Sequence, residues 1–235
     1  MSVPHFLRVA YLGTDFSGWQ IQTAQPSVQA ALWASLKALE PGAPLPQGTG
    51  RTDAGVHAKA QGVLVRLGHA WDGHRLLAAL NARLPPSVRV MEARPVHPDF
   101  WPRHHAVAKR YVYRLAQGPA EDPFTRALRW HVRGEARLDA GAMAEAARHL
   151  LGTRDFSSFR AVECAAEHPV RTLFLADVRG GPEGLDLVFE GNRFLMHQVR
   201  IMAGTLVEVG KGRRAPDAMP ALLEARDRTR AGPTA

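Results

Sequence analysis

Hydrophobic and polar positions follow two different periods along the first half of the chain. Residues 26–40 place apolar side chains at helical spacing, and Pro41 with Gly42 ends that pattern. Residues 6–12 are instead rich in β-branched and aromatic side chains and stop at Gly13, as expected for a strand. The pattern predicts strands at 6–12, 62–67 and 87–96 and helices at 26–40 and 72–84.

The second half begins near Arg103 with a long alternating run that is typical of a strand. Asp139 is placed to cap a helix that ends at Gly152. Two later strands are joined through residues 180–184, a connection so short that the strands must be antiparallel. The predicted elements are strands at 105–117, 126–132, 171–178 and 185–190, helices at 139–151 and 193–209, and a frayed tail from Ala231 onward.

This mixture of helices with antiparallel strands predicts an α+β fold rather than a doubly wound parallel sheet. Each half contains strands and two helices, so we predict two similar-sized domains, residues 1–103 and 104–235. In each domain, helices are expected to pack on a mixed and largely antiparallel sheet.

The composition is that of an ordinary folded protein. Its 235 residues are 46% hydrophobic and 22% charged, which excludes disordered and fibrous classes. The one cysteine, Cys164, excludes an internal disulfide framework and a Cys-rich zinc site. No apolar run is long enough for a membrane span, and the first residues lack the layout of a secretory signal, so we expect a cytoplasmic protein without membrane association.

The formal net charge of +8 comes from 26 Arg and 4 Lys set against 22 acidic residues. Arginine offers a planar fork of donors that fits phosphate and stacks on bases, so this excess suits a nucleic-acid partner. A GC-rich genome also raises the arginine content, and the charge alone leaves both explanations open.

The densest group of chemically active side chains lies at residues 48–58, GTGRTDAGVHA. Its three glycines allow tight turns, and Arg51 stands where it can keep Asp53 ionised, as a nucleophile or general base requires. From these residues alone, a turn in which Asp53 stabilises the backbone is the simpler interpretation. The glycine spacing does not fit a dinucleotide loop, and Asp53 with His57 makes an incomplete metal site, so no metal is expected.

Residues 109–114, KRYVYR, alternate as a strand with Tyr111 and Tyr113 on one face and Arg110 on the other. Basic residues interleaved with aromatic ones suit phosphate contact beside base stacking, which makes Arg110 a candidate substrate-binding residue. An amphipathic strand with its tyrosines packed on the core is the alternative.

The last long helix of the pattern places Arg193, His197, Arg200 and Gly204 within a sector of roughly 60°. Apolar residues cover the rest of it, so we predict a largely buried helix with a narrow cationic stripe. A buried Arg200 needs an anion or a wet cleft beside it, and Asp53 is the most attractive anion. A structural ion pair with another acidic residue is the alternative, and His197 is a candidate substrate-binding residue.

Five blocks in order resemble the tRNA pseudouridine synthase family that modifies uridines of the anticodon stem-loop (the TruA family). Together they extend over most of the chain, and RTDAGVH is the most specific string. The blocks are YLGTDFSGWQIQ at 11–22, GTGRTDAGVHAKAQ at 48–61, KRYVYRL at 109–115, DFSSF at 155–159 and NRFLMHQVRIMAGTLVEVGKG at 192–212.

The resemblance implies a role for individual residues. Asp53 matches the essential catalytic aspartate, Arg200 the arginine that pairs with it, and Tyr111 the tyrosine that stacks on the target base. Arg51 resembles a residue that helps to open the stem and to hold the flipped nucleotide. Val112 departs from the family pattern, which has a basic residue there, and removes one expected phosphate contact.

The resemblance further implies isomerisation of uridine to pseudouridine at positions 38–40 of tRNA, with no cofactor. The enzyme would be a homodimer whose subunits each carry a basic cleft between their two domains. Because the reacting atoms are unreachable in a stacked stem, the base must be flipped out. Asp53 would then attack C1′ or remove a sugar proton, and the residues leave both routes open.

Two other functions remain as alternatives. The first is an RNA-binding module without activity, for which Asp53 would be dispensable. The second is a metal-free hydrolase with Asp53 as nucleophile, but no second carboxylate of the kind that retaining glycosidases use lies in a comparable block.

Overall fold

The computed structural model describes residues 2–134, 137–181 and 183–235. The chain forms two compact units, Met1–Ala106 and Val107–Ala235, and each has its own sheet and hydrophobic core. Helices combined with largely antiparallel sheets confirm the predicted α+β class. Among the described residues, no helix is both long enough and apolar enough to cross a membrane.

The first unit contains a four-stranded antiparallel sheet in the order β2–β3–β1–β4. Its core includes the fully buried Leu32 of the first helix and Leu80 of the second. The elements are β1 (Val3–Tyr11), α1 (Val28–Leu39), β2 (Gln47–Gly48), β3 (Ala58–Leu67), α2 (Gly73–Asn81), β4 (Val88–Pro95) and α3 (Pro102–His105).

Local capping explains where the two long helices of this unit begin. The Ser27 hydroxyl accepts the Ala30 N–H at 3.2 Å, and the Asp72 carboxylate accepts the Arg75 N–H at 3.0 Å. Each bond satisfies one of the amide groups that have no partner within the first turn of a helix. Residues 58–61, outside the predicted strand 62–67, belong to β3 because they pair with the end of β1.

The second unit contains a five-stranded sheet in the order β6–β5–β9–β8–β7, in which the β5–β6 pair is parallel and the others are antiparallel. The predicted β8–β9 hairpin is confirmed, although Pro182 in its connection lies outside the described residues. The elements are β5 (Lys109–Ala116), β6 (Trp130–His131), α4 (Ala140–Arg148), β7 (Gly152–Asp155), β8 (Val170–Gly181), β9 (Gly184–Gly191), α5 (Gln198–Gly210), α6 (Ala218–Ala225), and 3₁₀ turns at Ser157–Phe159 and Arg228–Arg230.

The prediction of a helix over 193–209 is wrong at its start, because α5 begins at Gln198. The preceding amide groups bond to side chains instead of helix carbonyls: Asn192 Oδ1 accepts the Arg193 N–H at 2.7 Å, and Gln198 Oε1 accepts the Leu195 N–H at 2.8 Å. Such local side-chain bonds compete with helix formation. Arg193 and His197 therefore lie outside the helix, and the predicted helical stripe with Arg200 does not exist.

The predicted strand 126–132 is also too long. Only Trp130–His131 pairs, in parallel with the end of β5, and the long partner of β5 is β9. The chain before β6 turns at Asp122, whose carboxylate accepts the Phe124 N–H at 2.9 Å. Strand β5 itself starts later than the predicted residue 105, since Pro102–His105 forms a helical turn.

Replacing Asp139 with Ala tests the predicted N-cap of α4, which the structure confirms through a bond from the Ala142 N–H to Asp139 Oδ1 at 2.9 Å. We expect Asp139→Ala to lower the free energy of unfolding by about 1 kcal/mol, measured by urea denaturation. Asp217→Ala is the matched control, because Asp217 occupies the same position before α6 and makes no side-chain capping bond. An equal loss in both variants would contradict the capping role.

Candidate active site

Asp53 lies in the connection between β2 and β3, hereafter the Asp53 loop (residues 49–57). The loop is fixed one residue before Asp53: the Trp19 N–H donates to the Thr52 carbonyl at 3.1 Å, and the hydroxyls of Tyr11 and Thr52 are hydrogen-bonded at 2.9 Å. Tyr11 and Trp19 are each only 3% exposed. Buried aromatic residues of the preceding segment therefore hold the backbone at Asp53.

The other side of the loop is tied to the same β1–α1 connection. The Gly55 N–H donates to the Phe16 carbonyl at 3.1 Å, and the Gly13 N–H donates to Nδ1 of His57 at 2.9 Å. His57 thus contributes to the bracing of the loop. Among the described residues, no group of three or more His, Cys, Asp or Glu side chains could hold a metal ion.

The Asp53 loop contains a turn, as the residues alone suggested, and stabilisation of the backbone by the Asp53 carboxylate stays a prediction. The Val56 N–H donates to the backbone carbonyl of Asp53 at 3.2 Å, and Gly55 adopts a φ of +75°. Asp53 is half-buried in this turn, and Arg51 is exposed. The turn therefore places a carboxylate and a guanidinium two residues apart on a braced loop, so the structural and the chemical interpretations of this segment are compatible.

Two glycines of the β1–α1 connection permit this close packing. A Cβ added at Gly13 would lie 2.1 Å from the Val56 carbonyl oxygen, and one added at Gly18 would lie 2.5 Å from the Thr52 carbonyl oxygen. Gly18 also has a φ of +99°, which other residues rarely adopt. The GTDFSGW string at 13–19 carries part of the family resemblance, and its spacing gives no sign of this bracing role.

Tyr111 lies on β5 opposite Phe189 of β9 and is half-buried. Its ring meets Phe194 edge-to-face, with centroids 5.0 Å apart and an interplanar angle of 78°. This geometry is favourable for aromatic pairs and orients the tyrosine ring. Tyr113, two positions along, meets Trp130 in the same manner at 6.1 Å, and packs against the core.

Arg110 lies on the opposite face of β5. Its guanidinium makes an ion pair with Glu190, its register partner on β9, at 2.6 Å. The neighbouring Val112 is 46% exposed, so this face of the strand is open to solvent. The alternation of the two faces is confirmed, and binding of substrate by Arg110 stays a prediction.

Arg200 lies on the first turn of α5, and its Nε donates to the backbone oxygen of Ala235 at 2.6 Å. The Ala235 N–H donates in return to the Arg200 carbonyl at 3.3 Å. The Gly232 N–H donates to the buried hydroxyl of Thr205 at 2.9 Å, and a Cβ on Gly204 would lie 1.9 Å from the Pro233 carbonyl oxygen. The prediction of a frayed tail is therefore wrong, because residues 231–235 pack closely on α5.

His197 occupies the N-cap position of α5 with a left-handed φ of 59°. Its carbonyl accepts the Ile201 N–H at 2.9 Å, which begins the helix. His197 is half-buried, as is Arg200. Among the predicted site residues, Asp53 and Arg51 belong to the first unit and the remaining four to the second, and the pairing of Arg200 with Asp53 stays a prediction.

Comparison with known proteins gives a consistent result. A family model described as tRNA pseudouridine synthase matches residues 146–235. The chain is 43% identical over 230 residues to tRNA pseudouridine synthase A of Myxococcus xanthus, covering 97% of this chain and 86% of the relative. It is 45% identical over 231 residues to the protein of the same name from Paramagnetospirillum magneticum, covering 97% and 89%. The chain belongs to the tRNA pseudouridine synthase family.

In this tRNA pseudouridine synthase, the surroundings of Tyr113, the second tyrosine on β5, change the pKa of its hydroxyl group. Burial raises the pKa of Tyr113 above its ordinary value of 10.0, and the positive charge of Arg200 acts in the opposite direction. Tyr113 therefore stays protonated and neutral at physiological pH. The guanidinium of Arg200 is therefore close enough to β5 to affect the pKa of Tyr113.

Substitution of Gly18 by Ala tests the bracing of the Asp53 loop in this synthase. The added Cβ would push away the Thr52 carbonyl, so we expect the loop to open and trypsin to cleave after the exposed Arg51 several times faster than in the wild type. Gly42→Ala is the matched control, since a Cβ there meets nothing within 4 Å. Equal cleavage rates in the wild type and Gly18→Ala would show that the loop is not held in this way.

The raised pKa of Tyr113 predicts a loss of stability in alkali. Above pH 10.0 the unfolded phenol releases its proton while the folded one retains it, so the free energy of unfolding falls as the pH rises through this range. Tyr113→Phe removes the ionisable group and should weaken this dependence. Urea denaturation on both sides of pH 10.0 measures it, and an unchanged dependence in Tyr113→Phe would contradict the assignment.

Proposed function

We propose that this protein isomerises uridine to pseudouridine in the anticodon stem-loop of tRNA, at positions 38–40, as a cytoplasmic homodimer and without a cofactor. Membership of the tRNA pseudouridine synthase family supports tRNA as the substrate and isomerisation as the reaction. The observation that carries the proposal for the chemistry is the braced Asp53 loop. Its hydrogen bonds to β1 and to the β1–α1 connection fix the backbone that carries the Asp53 carboxylate.

Asp53 is the proposed catalytic residue. The reaction breaks the N1–C1′ bond of uridine, turns the uracil, and joins C5 to C1′, while C5 loses its proton and N1 gains one, so that the product is an isomer of the substrate. An ionised Asp53 begins it either by attack on C1′ or by removal of a sugar proton. Both routes need the target nucleotide flipped out of the stem, because its atoms are inaccessible in a stacked helix.

Tyr111 and Arg200 are assigned to the same reaction through the resemblance of their sequence blocks. Tyr111 packs on the detached uracil and prevents its escape, a role that the edge-to-face contact with Phe194 supports by orienting the ring. Arg200 keeps the catalytic carboxylate ionised. A nearby guanidinium favours the charged form of an aspartate.

Three further residues are proposed to bind the RNA. Arg51 is exposed two positions before Asp53 and holds the flipped nucleotide. Arg110 and His197, which belong to the second unit, contact phosphates of the RNA. The ion pair between Arg110 and Glu190 would have to exchange for a phosphate contact, which guanidinium groups make readily.

Asp53→Asn should leave tRNA binding near the wild-type level and abolish turnover, because the amide keeps the shape of the side chain but removes its charge. Turnover is measured as tritium released from tRNA labelled at C5 of uridine, and binding by gel retardation. Mapping of pseudouridine in the treated tRNA tests positions 38–40. Asp15→Asn, an exposed carboxylate of the β1–α1 connection, is the matched control and should retain activity.

Appreciable turnover by Asp53→Asn would remove the role proposed for this residue. If the wild type binds tRNA but releases no tritium, the protein is an RNA-binding module without this activity.

A further inference from the structure

A cavity of about 610 Å³ lies in the first unit next to the Asp53 loop. We call it the tryptophan pocket and define it by six of its lining residues, which come from the β1–α1 connection, α1, the start of the loop and α3 with the residue before it. These residues are Trp19, Gln29, Trp33, Arg51, Trp101 and Arg103. The volume is within the range of about 300–1,000 Å³ that is typical of pockets for small organic ligands.

The walls of the tryptophan pocket are braced from inside the unit. Gln29 is 7% exposed and uses both ends of its amide: Oε1 accepts the Ile21 N–H at 3.0 Å, and Nε2 donates to the Pro46 carbonyl at 2.9 Å. Trp33 Nε1 donates to the Ala43 carbonyl at 2.9 Å. These bonds tie α1 to residues 21, 43 and 46, so this part of the pocket wall is formed before any ligand arrives.

The rim of the pocket combines an open aromatic ring with two cations. Trp101 is 37% exposed, and its carbonyl accepts the N–H groups of His104 and His105 at 3.1 Å each, which holds its backbone at the start of α3. Arg51 and Arg103 are both exposed. Among the described residues that line the pocket, none is acidic.

This chemistry matches a nucleotide. Aromatic rings stack on bases of any sequence, and guanidinium groups bind phosphate. A pocket lined by two arginines and no carboxylate attracts an anion and repels no part of an RNA strand. A chain with a net charge of +8 that belongs to a tRNA-modifying family has RNA as the natural source of that nucleotide.

The position of the pocket along the chain relates it to the proposed reaction. Arg51 lines the pocket and stands two residues before Asp53, so the Cα atoms of the two are at most about 7.6 Å apart. A nucleotide in the pocket would therefore lie close to a nucleotide held at Asp53, as the neighbour of the target on the same strand does.

We infer that the tryptophan pocket binds a nucleotide that flanks the target uridine of the tRNA, with Trp101 stacked on its base, Arg103 at its phosphate, and Arg51 at the junction with the target nucleotide. This inference rests on the proposed function and adds a second point of attachment for the substrate. Removal of the flanking nucleotide from the stem would favour extrusion of its neighbour, since unstacking one base weakens the stack on the next.

Trp101→Ala should raise the Kd for an unmodified tRNA transcript by about 5-fold to 150-fold, the range that loss of one base–aromatic stack gives. Trp101→Phe keeps a ring in the same place and should bind near the wild-type level. The two variants are compared by gel retardation at one salt concentration. A wild-type Kd in Trp101→Ala would overturn the inference.

Arg103→Gln provides a second test that does not depend on the folding of the tryptophan variants, because this side chain is exposed. Loss of one phosphate contact should reduce the slope of log Kobs against log salt concentration by about one. Arg103→Lys should retain the slope, and Arg83→Gln, an exposed arginine of the same unit outside the pocket, serves as the matched control. An unchanged slope in Arg103→Gln would contradict phosphate binding at this site.

Photo-cross-linking of the wild-type protein to a tRNA that carries 5-bromouridine next to the target uridine tests the occupant directly. Cross-links to Trp101, located by mass spectrometry, are expected, and cross-links confined to residues outside the pocket would overturn the inference.

Tritium release by the wild type separates failure of the proposed function from failure of the pocket inference. Without it the proposed function fails, whereas wild-type turnover combined with normal binding by Trp101→Ala refutes the pocket alone.

Discussion

The hydrogen bond from the Trp19 N–H to the Thr52 carbonyl is the contact on which the candidate active site depends. It joins a loop rich in glycine, which by itself has many conformations, to a tryptophan that is fixed in the core. Asp53 follows Thr52 directly, so the bond that fixes the Thr52 carbonyl also fixes the backbone from which the Asp53 side chain extends. Function is often carried by loops, but only when a rigid scaffold positions them.

The tryptophan pocket and the Asp53 loop share this scaffold. Trp19 contributes its backbone to the loop and its ring to the wall of the pocket, where Gly48 lets the ring approach closely. The side chain of Gln29 bonds both to Ile21 of the β1–α1 connection and to Pro46, just before β2. A change that loosens the β1–α1 connection would therefore disturb both places at once, so the proposed catalytic loop and the proposed nucleotide pocket depend on one support.

Much of the fold could be predicted from the sequence where local pattern and local structure agree. Helix α1 with its apolar spacing, the Asp139 cap of α4, and the β8–β9 hairpin all follow from periods and short connections. The start of α5 could not, because the decisive bonds run from backbone groups to the side chains of Asn192 and Gln198. Periodicity reports which residues are apolar and carries no information on such bonds.

The candidate site shows the same division. Asp53 and the loop around it stand out in the sequence, whereas the contacts that brace the loop do not, since the Gly13–His57 bond joins positions 44 residues apart. The packing of residues 231–235 was missed for a related reason. A segment that contains Gly and Pro suggests fraying, but here Gly232 is small enough to lie against the backbone of Thr205.

The position of Ala235 has a practical consequence for work on the protein. Both its N–H and its backbone oxygen are bonded to Arg200. Any affinity tag or fluorescent fusion attached after this residue would begin beside the guanidinium to which a catalytic role is assigned. Labels for purification or imaging would leave this contact undisturbed if they were placed ahead of β1.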